Sequence, residues 1–248
     1  MFRKFISAFL LLFSGASHAF LIEGFDVSET WDGAVVYLPG AFFPKRIDEV
    51  AVEKPLPVIV YLHGCGGIND DERQWANFLK SEGFIVVLPN SFAMKNRVKN
   101  CDSNSSVTNL NKFPVTTVRP AEAEYAMKQL TEKQWVDKSN IFLMGHSEGG
   151  MAAFTAKEVG FSGVIFTGFK CGAHQAGSAE SVPLLGINWE IDPWFERKDG
   201  QIKNCSERPA WRKRGNNKEV LLSGNGHESG REKIARNEVA AFLNKWKK

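Results

Sequence analysis

The stretch of sequence that decides the fold is Gly145-His146-Ser147-Glu148-Gly149-Gly150. An apolar run typical of a buried strand precedes it at 140–144, and a run typical of a helix start follows at 151–157. A serine with a glycine two residues to either side, between a strand and a helix, is typical of a nucleophile elbow. The glycines leave room for the tight turn, and the helix N-terminus lies beneath an exposed hydroxyl. Ser147 is therefore the candidate nucleophile.

Short apolar runs alternate with amphipathic segments from residue 58 to the C-terminus. We predict strands at 58–62, 84–88, 140–144, 163–167, 183–187 and 219–222, and helices at 72–82, 119–134, 151–157 and 229–246. This alternation predicts βαβ units, and so an α/β fold with a mostly parallel central sheet and helices on both faces. Segments 20–27 and 32–38 predict an antiparallel pair of strands ahead of it. Pro120 is expected in the first turn of the second helix.

The first 19 residues have the pattern of a secretory signal peptide. Arg3 and Lys4 make a basic start, residues 5–13 are apolar, and small residues precede a cleavage site after Ala19. The alternative is an N-terminal membrane anchor, but this apolar run is too short to span a bilayer. We expect an exported protein, secreted or periplasmic, whose single domain comprises residues 20–248.

The small net charge of the chain argues against a generic nucleic-acid-binding protein. The full chain carries a formal net charge of +3, and loss of Arg3 and Lys4 with the leader removes two positive charges. A local basic cluster at 208–214, which includes Trp211, has two interpretations, a solvated loop or an anion site. No later segment is long and apolar enough to cross a membrane, so we expect neither a membrane span nor a nucleic-acid partner. Oligomeric state has no signal in the sequence.

Four cysteines follow the leader, namely Cys65, Cys101, Cys171 and Cys205. In an exported protein an even number of cysteines predicts disulfides, and four cysteines allow three pairings. No spacing of cysteine and histidine suits a zinc site. We expect no metal and no organic cofactor.

Polar side chains follow three of the predicted strands at the edge where a parallel sheet binds its ligands. Ser147 follows the strand before the elbow, Asp192 follows the strand at 183–187, and His227 follows the last strand. Serine, acid and histidine in that chain order are expected for a catalytic triad on this architecture. His227 would take the proton of Ser147, and Asp192 would orient the imidazole and stabilise its charged form.

Alternatives exist for the acid and for the base. Glu190 is closer to the strand end than Asp192, but Asp192 is shorter, precedes a proline and can point back into the site. Three other histidines compete with the one chosen. We expect His63 to brace its own loop by hydrogen bonds and His146 to point away from the serine, while His174 follows a strand outside the usual order.

A tetrahedral intermediate requires two hydrogen-bond donors for its oxyanion. The backbone N–H of Glu148, directly after the nucleophile, is one candidate. The other is the backbone N–H of Cys65 in a glycine-rich loop, with Gly66 as the second choice. Trp189 and Trp194 follow the strand that carries the acid, where they could line a substrate pocket or belong to the core.

Four segments, 58–67, 145–150, 183–194 and 224–228, together resemble the α/β-hydrolases, and most closely the dienelactone hydrolase family. The resemblance covers nearly all of the chain after the leader. It implies the α/β-hydrolase fold, the triad roles and ester hydrolysis. The namesake enzymes use a cysteine nucleophile, whereas Ser147 occupies the matching position here.

The resemblance also implies a disulfide pattern. In the usual hydrolase topology the strand at 58–62 lies between the strand at 84–88 and the elbow strand. Cys65 and Cys101 then follow adjacent strand ends, and Cys171 and Cys205 follow the next adjacent pair. The implied pairing is Cys65–Cys101 and Cys171–Cys205, and the second bridge would fasten the loop that carries Asp192.

The sequence thus favours an exported serine hydrolase that cleaves a carboxylic ester or a related acyl bond of a small molecule. A peptidase or an acyltransferase could use the same triad, because the choice of acceptor depends on the shape of the pocket. A non-catalytic binding protein that kept the fold is the alternative from another class. The natural substrate is not specified by any motif.

Overall fold

The structure is a computed structural model that describes residues 20–98, 101, 113–157, 160–172, 174–195 and 203–248. The expected leader at 1–19 lies outside the described residues. The strands are β1 (Leu21–Ile22), β2 (Phe25–Asp26), β3 (Val35–Tyr37), β4 (Lys45–Arg46), β5 (Leu56–Leu62), β6 (Ile85–Leu88), β7 (Val136–His146), β8 (Val164–Thr167), β9 (Leu184–Ile191) and β10 (Asn217–Asn225). The helices are α1 (Ser28–Asp32), α2 (Asp70–Ser81), α3 (Val115–Thr131), α4 (Glu148–Thr155), α5 (Pro209–Arg212) and α6 (Lys233–Trp246).

Eight strands form the central sheet in the order β10-β9-β8-β7-β5-β6-β3-β4. The six strands from β10 to β6 are mutually parallel, and β3 and β4 add an antiparallel edge. The carboxyl ends of β7, β9 and β10 therefore lie on the same side of the sheet. The predicted α/β class with a mostly parallel sheet is confirmed.

The strands β5, β6 and β8 are buried on both faces of the sheet, which is why they are almost entirely apolar. Along β5, Val58, Val60 and Leu62 pack into one hydrophobic cluster, while Ile59 and Tyr61 pack into the other. Side chains of α3 and α4 cover the first face, and side chains of α2 and α6 cover the second. Alternate side chains along β5 thus point into the two hydrophobic clusters on opposite faces of the sheet.

The predicted antiparallel pair at 20–27 and 32–38 is wrong. The first segment folds back on itself as β1 and β2, residues 28–32 form α1, and β3 pairs with β4 and β6 instead. The cause is a side chain that competes with strand pairing. The carboxylate of Asp26 accepts hydrogen bonds from the N–H of Phe20 at 3.0 Å and from both the N–H and the hydroxyl of Ser28.

Helix α3 begins at Val115, before the predicted start at residue 119. Pro120 consequently lies inside the helix rather than in its first turn. Val115 and Val118 are buried in the core cluster, and this burial stabilises the extra turn. Tertiary packing here outweighs the hydrogen bond that the proline lacks.

Both disulfides implied by the resemblance are present, Cys65–Cys101 and Cys171–Cys205. The first ties the loop after β5 to the segment that follows β6. The second ties the loop after β8 to the turn that precedes α5. The chain segment enclosed by the second bridge includes β9 and Asp192.

We expect the double substitution Cys171→Ala, Cys205→Ala to destabilise the protein. Closure of a loop with a sequence separation of 34 residues contributes about 3–4 kcal/mol in the chain-entropy model. Urea denaturation under oxidising conditions would measure the change in the free energy of unfolding. An unchanged value would contradict the expected contribution, and wild type in reducing buffer serves as the positive control.

Candidate active site

Ser147 lies at the sharp turn between β7 and α4. Its backbone angles are φ 55° and ψ −117°, a region that residues with a side chain rarely adopt. The turn requires backbone atoms to approach both Gly145 and Gly149 closely. A Cβ atom added to Gly149 would lie 2.0 Å from the carbonyl oxygen of Leu62, and one added to Gly145 would lie 2.1 Å from the carbonyl oxygen of Gly149. Both positions therefore need glycine.

The structure brings Ser147, His227 and Asp192 together in one chain of hydrogen bonds. The hydroxyl oxygen of Ser147 lies 2.9 Å from Nε2 of His227. Nδ1 of the same ring lies 2.8 and 3.0 Å from the two carboxylate oxygens of Asp192. His227 can donate from Nδ1 to the carboxylate and accept from the serine at Nε2, which is the arrangement that general-base chemistry requires.

Asp192, rather than Glu190, is the acid that contacts the histidine. Asp192 is fully buried, and its carboxylate also accepts the N–H of Trp194 at 3.0 Å. Glu190 is exposed, and its carboxylate accepts the N–H of Gly224 at 3.3 Å instead. The buried position deprives Asp192 of competing water, so its hydrogen bonds fix the histidine ring.

The two candidate pocket tryptophans have different surroundings. The ring of Trp194 stacks on the ring of His227, with centroids 5.4 Å apart. Trp189 packs against Gly226, where an added Cβ would lie 2.5 Å from the indole, and its Nε1 donates to the carbonyl oxygen of Glu228 at 2.9 Å. Trp194 thus borders the ring of His227, whereas Trp189 supports the loop that carries His227.

His63 and His146 are buried and neutral. Nδ1 of His63 contacts its neighbour's carbonyl oxygen at 2.6 Å, and Nε2 accepts the N–H of Ser91 at 3.0 Å. Burial, with the charge of Arg119 as a smaller cause, holds the pKa of His63 well below its ordinary value. Burial likewise lowers the pKa of His146, whose Nδ1 lies 3.0 Å from the hydroxyl of Thr167. Neither ring contacts the serine hydroxyl by a hydrogen bond.

The ring of His174 lies 5.6 Å from that of Phe169. In the nearby basic cluster at 208–214, guanidinium groups donate hydrogen bonds to backbone carbonyl oxygens. Arg208 donates to the carbonyl oxygen of His174 at 2.7 Å, and Arg214 donates to that of Val182 at 2.8 Å. These contacts tie neighbouring loops together and favour the structural interpretation of the cluster over an anion site.

The glycine-rich loop after β5 lies directly against Ser147. A Cβ atom added to Gly64 would lie 3.3 Å from the Cβ of Ser147. Cys65, the candidate donor, follows Gly64 in this loop. Glu148 is the first residue of α4, where backbone N–H groups have no partner within the helix. Both candidate oxyanion donors therefore lie beside the serine.

The side chain of Glu148 belongs to a buried charge network that sequence reasoning missed. Its Oε1 lies 2.6 Å from a nitrogen of Arg97 and 2.9 Å from Nε of Arg119. Arg119 also pairs with Glu122 and donates to the carbonyl oxygen of His63. Burial raises the pKa of Glu122 to about 7 despite the neighbouring guanidinium. This network fixes the residue whose amide is the candidate donor.

Two further carboxylates, Asp71 and Glu72, were also missed, although both are buried and accept backbone N–H groups from the loops beside the candidate site. Burial raises the pKa of Asp71 to about 7 and also raises the pKa of Glu72. Their only sequence signal is the helix-capping pattern of Asn69 and Glu72. Among the residues that the structure describes, no cluster of histidine, cysteine and carboxylate side chains could hold a metal ion. Within the same ranges, no helix is long and apolar enough to cross a bilayer.

Known proteins of two kinds match this chain. A family model for chlorophyllase matches residues 45–165. A chlorophyllase type 0 from Chenopodium album is 28% identical over 113 residues, which make up 44% of this chain and 30% of that protein. The chain therefore matches less than a third of the length of the plant relative.

Two solved structures superimpose on 86% of this chain and 97% of their own. One is a protein from Klebsiella pneumoniae assigned as a dienelactone hydrolase, with 11% identity and a TM-score of 0.56. The other is a dienelactone hydrolase-like promiscuous phosphotriesterase from metagenomic libraries, with 16% identity and a TM-score of 0.58. The chain has the α/β-hydrolase fold. Its predicted resemblance to the dienelactone hydrolases is confirmed at the level of the fold.

We expect Gly149→Ala to destabilise the protein by about 3 kcal/mol or more, because the new methyl group meets a backbone carbonyl that cannot move aside. Gly215→Ala is the matched control, since an added Cβ there meets nothing within 4 Å. Its free energy of unfolding should change by about 0.5 kcal/mol or less. Urea denaturation measures both, and equal stabilities would contradict the account of the elbow.

Proposed function

We propose that this chain is an exported serine hydrolase that cleaves a carboxylic ester or a related acyl bond. The observation that carries the proposal is the chain of hydrogen bonds from Ser147 through His227 to Asp192, at 2.9 and 2.8 Å. A binding protein with no catalytic step has no need of all three groups in this order. The names of the matched relatives, chlorophyllase and dienelactone hydrolase, support the hydrolase class.

In the first step the hydroxyl oxygen of Ser147 attacks the acyl carbon while Nε2 of His227 takes its proton. Asp192 holds the ring by accepting the Nδ1–H and stabilises the positive charge that the ring acquires. The imidazolium then protonates the leaving alcohol as the acyl–oxygen bond breaks. Water then attacks the acyl carbon while His227 takes its proton. His227 returns that proton to the hydroxyl oxygen of Ser147 as the bond between serine and acyl group breaks, and the acid leaves.

The oxyanion that forms in each step is bound by the backbone N–H groups of Cys65 and Glu148. Burial of the Arg97 and Arg119 side chains against the carboxylate of Glu148 supports this role, because it fixes the orientation of that residue. Preorganised donors of this kind are commonly the largest single contribution to catalysis of acyl transfer. The mechanism requires no metal and no organic cofactor.

The proposed substrate is a small acyl compound with an ester bond. Trp194 and Phe195 border the catalytic ring, with centroids 5.4 and 6.2 Å from that of His227, and present aromatic surface to an acyl group. Cleavage of an amide bond, with an amine as the leaving group and water as the acceptor, would make the chain a peptidase. Transfer of the acyl group to an alcohol or an amine in place of water would make it an acyltransferase. Turnover of short p-nitrophenyl esters would support the esterase.

We also propose that the mature protein is a single exported domain comprising residues 20–248. Two disulfides support an oxidising compartment, outside the cell or in the periplasm. The leader pattern at 1–19 supports the same location. Mass spectrometry of the N-terminus of the exported chain tests cleavage after Ala19.

A fluorophosphonate probe should label wild type and should not label Ser147→Ala, because the probe reacts with an activated serine. Labelling is measured by intact-mass spectrometry, and preserved folding of the variant is checked by circular dichroism. Equal labelling of both proteins would exclude Ser147 as the nucleophile. Labelling of wild type without turnover of any ester would favour the peptidase or acyltransferase.

Asp192→Asn should lower kcat for p-nitrophenyl butyrate by on the order of 10³–10⁴, because the wrong tautomer of His227 then faces the serine. Glu190→Gln is the matched control and should keep kcat close to the wild-type value, since among the described residues the Glu190 carboxylate accepts the N–H of Gly224 and does not contact His227. Steady-state kinetics measure both. Loss of activity in the Glu190 variant, with activity kept in the Asp192 variant, would reverse the assignment of the acid.

A further inference from the structure

Two adjacent carboxylates in the first turn of α2 make contacts that the catalytic steps do not use. Asp71 and Glu72 are 5% and 0% exposed, although carboxylates are rarely buried without a specific partner. The N-terminus of the helix favours their negative charge. Each of them also reaches out of the helix to a different loop of the candidate active site.

Glu72 holds the loop that carries the proposed oxyanion donor. Its Oε2 accepts the N–H of Asn69 at 3.0 Å, which completes the cap of α2. Its Oε1 accepts the N–H of Gly64 at 3.0 Å. That bond occupies the amide next to Cys65 and holds the loop where Gly64 contacts Ser147. A carboxylate on a rigid helix thus sets the distance between this loop and the nucleophile.

Asp71 holds the loop that carries the base. Its Oδ1 accepts the N–H of Gly230 at 2.6 Å, three residues after His227. A Cβ atom added to Gly230 would lie 2.7 Å from that oxygen, so glycine is needed for the contact. Oδ2 lies 3.8 Å from Nδ1 of His146, whose ring centroid is 4.8 Å from that of His227. Asp71 therefore holds the loop of His227 directly, whereas the ring of His146 lies between Asp71 and the ring of His227.

We propose that Asp71 and Glu72 are positioning residues for the reaction, an inference that rests on the proposed function. Glu72 places the oxyanion loop against Ser147, and Asp71 places the loop of His227. Because the two acids are consecutive residues in one helical turn, α2 fixes the two loops relative to each other. Neither carboxylate touches the reacting atoms.

Glu72→Gln tests the first contact. Glutamine has one acceptor oxygen where glutamate has two, so it cannot accept both N–H groups. We expect kcat for p-nitrophenyl butyrate to fall about tenfold or more while KM stays within about twofold, because oxyanion binding acts in the transition state. Glu72→Asp keeps the charge but withdraws the carboxylate from Gly64, and it should show the same loss. The Glu72→Asp variant thus repeats the test if Glu72→Gln does not fold.

Asp71→Ala tests the second contact and should lower kcat/KM about tenfold or more. Asp71→Asn keeps one oxygen that can accept the N–H of Gly230, so it should restore kcat/KM to within about threefold of wild type. The rate of labelling by the fluorophosphonate probe should likewise be low in Asp71→Ala and close to the wild-type rate in Asp71→Asn. All kinetics are measured below the thermal midpoint of the least stable variant.

Two control variants separate positioning from stability. Asn69→Ala removes the side chain that caps α2 by accepting the N–H of Asp71 at 2.8 Å, so it should lower Tm yet keep kcat. Asp70 lies in the same helical turn, and Asp70→Asn removes its exposed ion pair with Arg231. This variant should change neither Tm nor kcat.

Three outcomes would count against these ideas, and they are distinguishable. Wild-type kcat in Glu72→Gln and in Glu72→Asp, or wild-type kcat/KM in Asp71→Ala, would overturn the positioning role while the proposed function stands. A loss of kcat in Asn69→Ala that matches its loss of Tm would overturn it as well, because helix stability alone would then explain the effect. Wild type that neither reacts with the probe nor turns over any ester would contradict the proposed function itself.

Discussion

The turn at Ser147 is the constraint on which the rest of the structure depends. A residue with a side chain at φ 55° stores strain of about 1–3 kcal/mol, and such strain persists only where the surroundings hold it. Here β8 holds it through the carbonyl oxygen of Thr167, which accepts the N–H of Ser147 at 2.9 Å. The backbone of Gly149 lies directly against the end of β5. The turn is therefore fixed by the strands on both sides of β7, and its position follows from the order of the sheet.

Buried ionic groups surround this turn, and the carboxylates of Glu148 and Glu72 have partners that compensate their charge. Arg97 and Arg119 converge on the carboxylate of Glu148, while Glu72 accepts backbone N–H groups. Removal of one partner from such a network is costly, since the other charge remains buried. The same bonds restrict the loops beside Ser147 to one arrangement. Stability and the geometry proposed for catalysis consequently depend on the same contacts.

The parts of this structure that follow from local pattern were predictable from sequence. Buried strands, the glycines around Ser147 and the side chains that follow each strand end can all be recognised from residues close together in the chain. Contacts between distant residues were not predictable in this way. Arg97 and Glu148 are 51 positions apart, and Asp71 and Gly230 are 159 apart. The N-terminal pairing was mispredicted because the side chain of Asp26 forms hydrogen bonds that no periodicity reveals.

The central claim is that Ser147 carries the acyl group during turnover. Rapid quenching of the reaction with p-nitrophenyl trimethylacetate, followed by peptide mass spectrometry, tests this claim most directly. The account predicts a burst of p-nitrophenol close to one equivalent and a trimethylacetyl group on the peptide that contains Ser147. Release without a burst and without an acylated peptide, or an acyl group on any other residue, would contradict it.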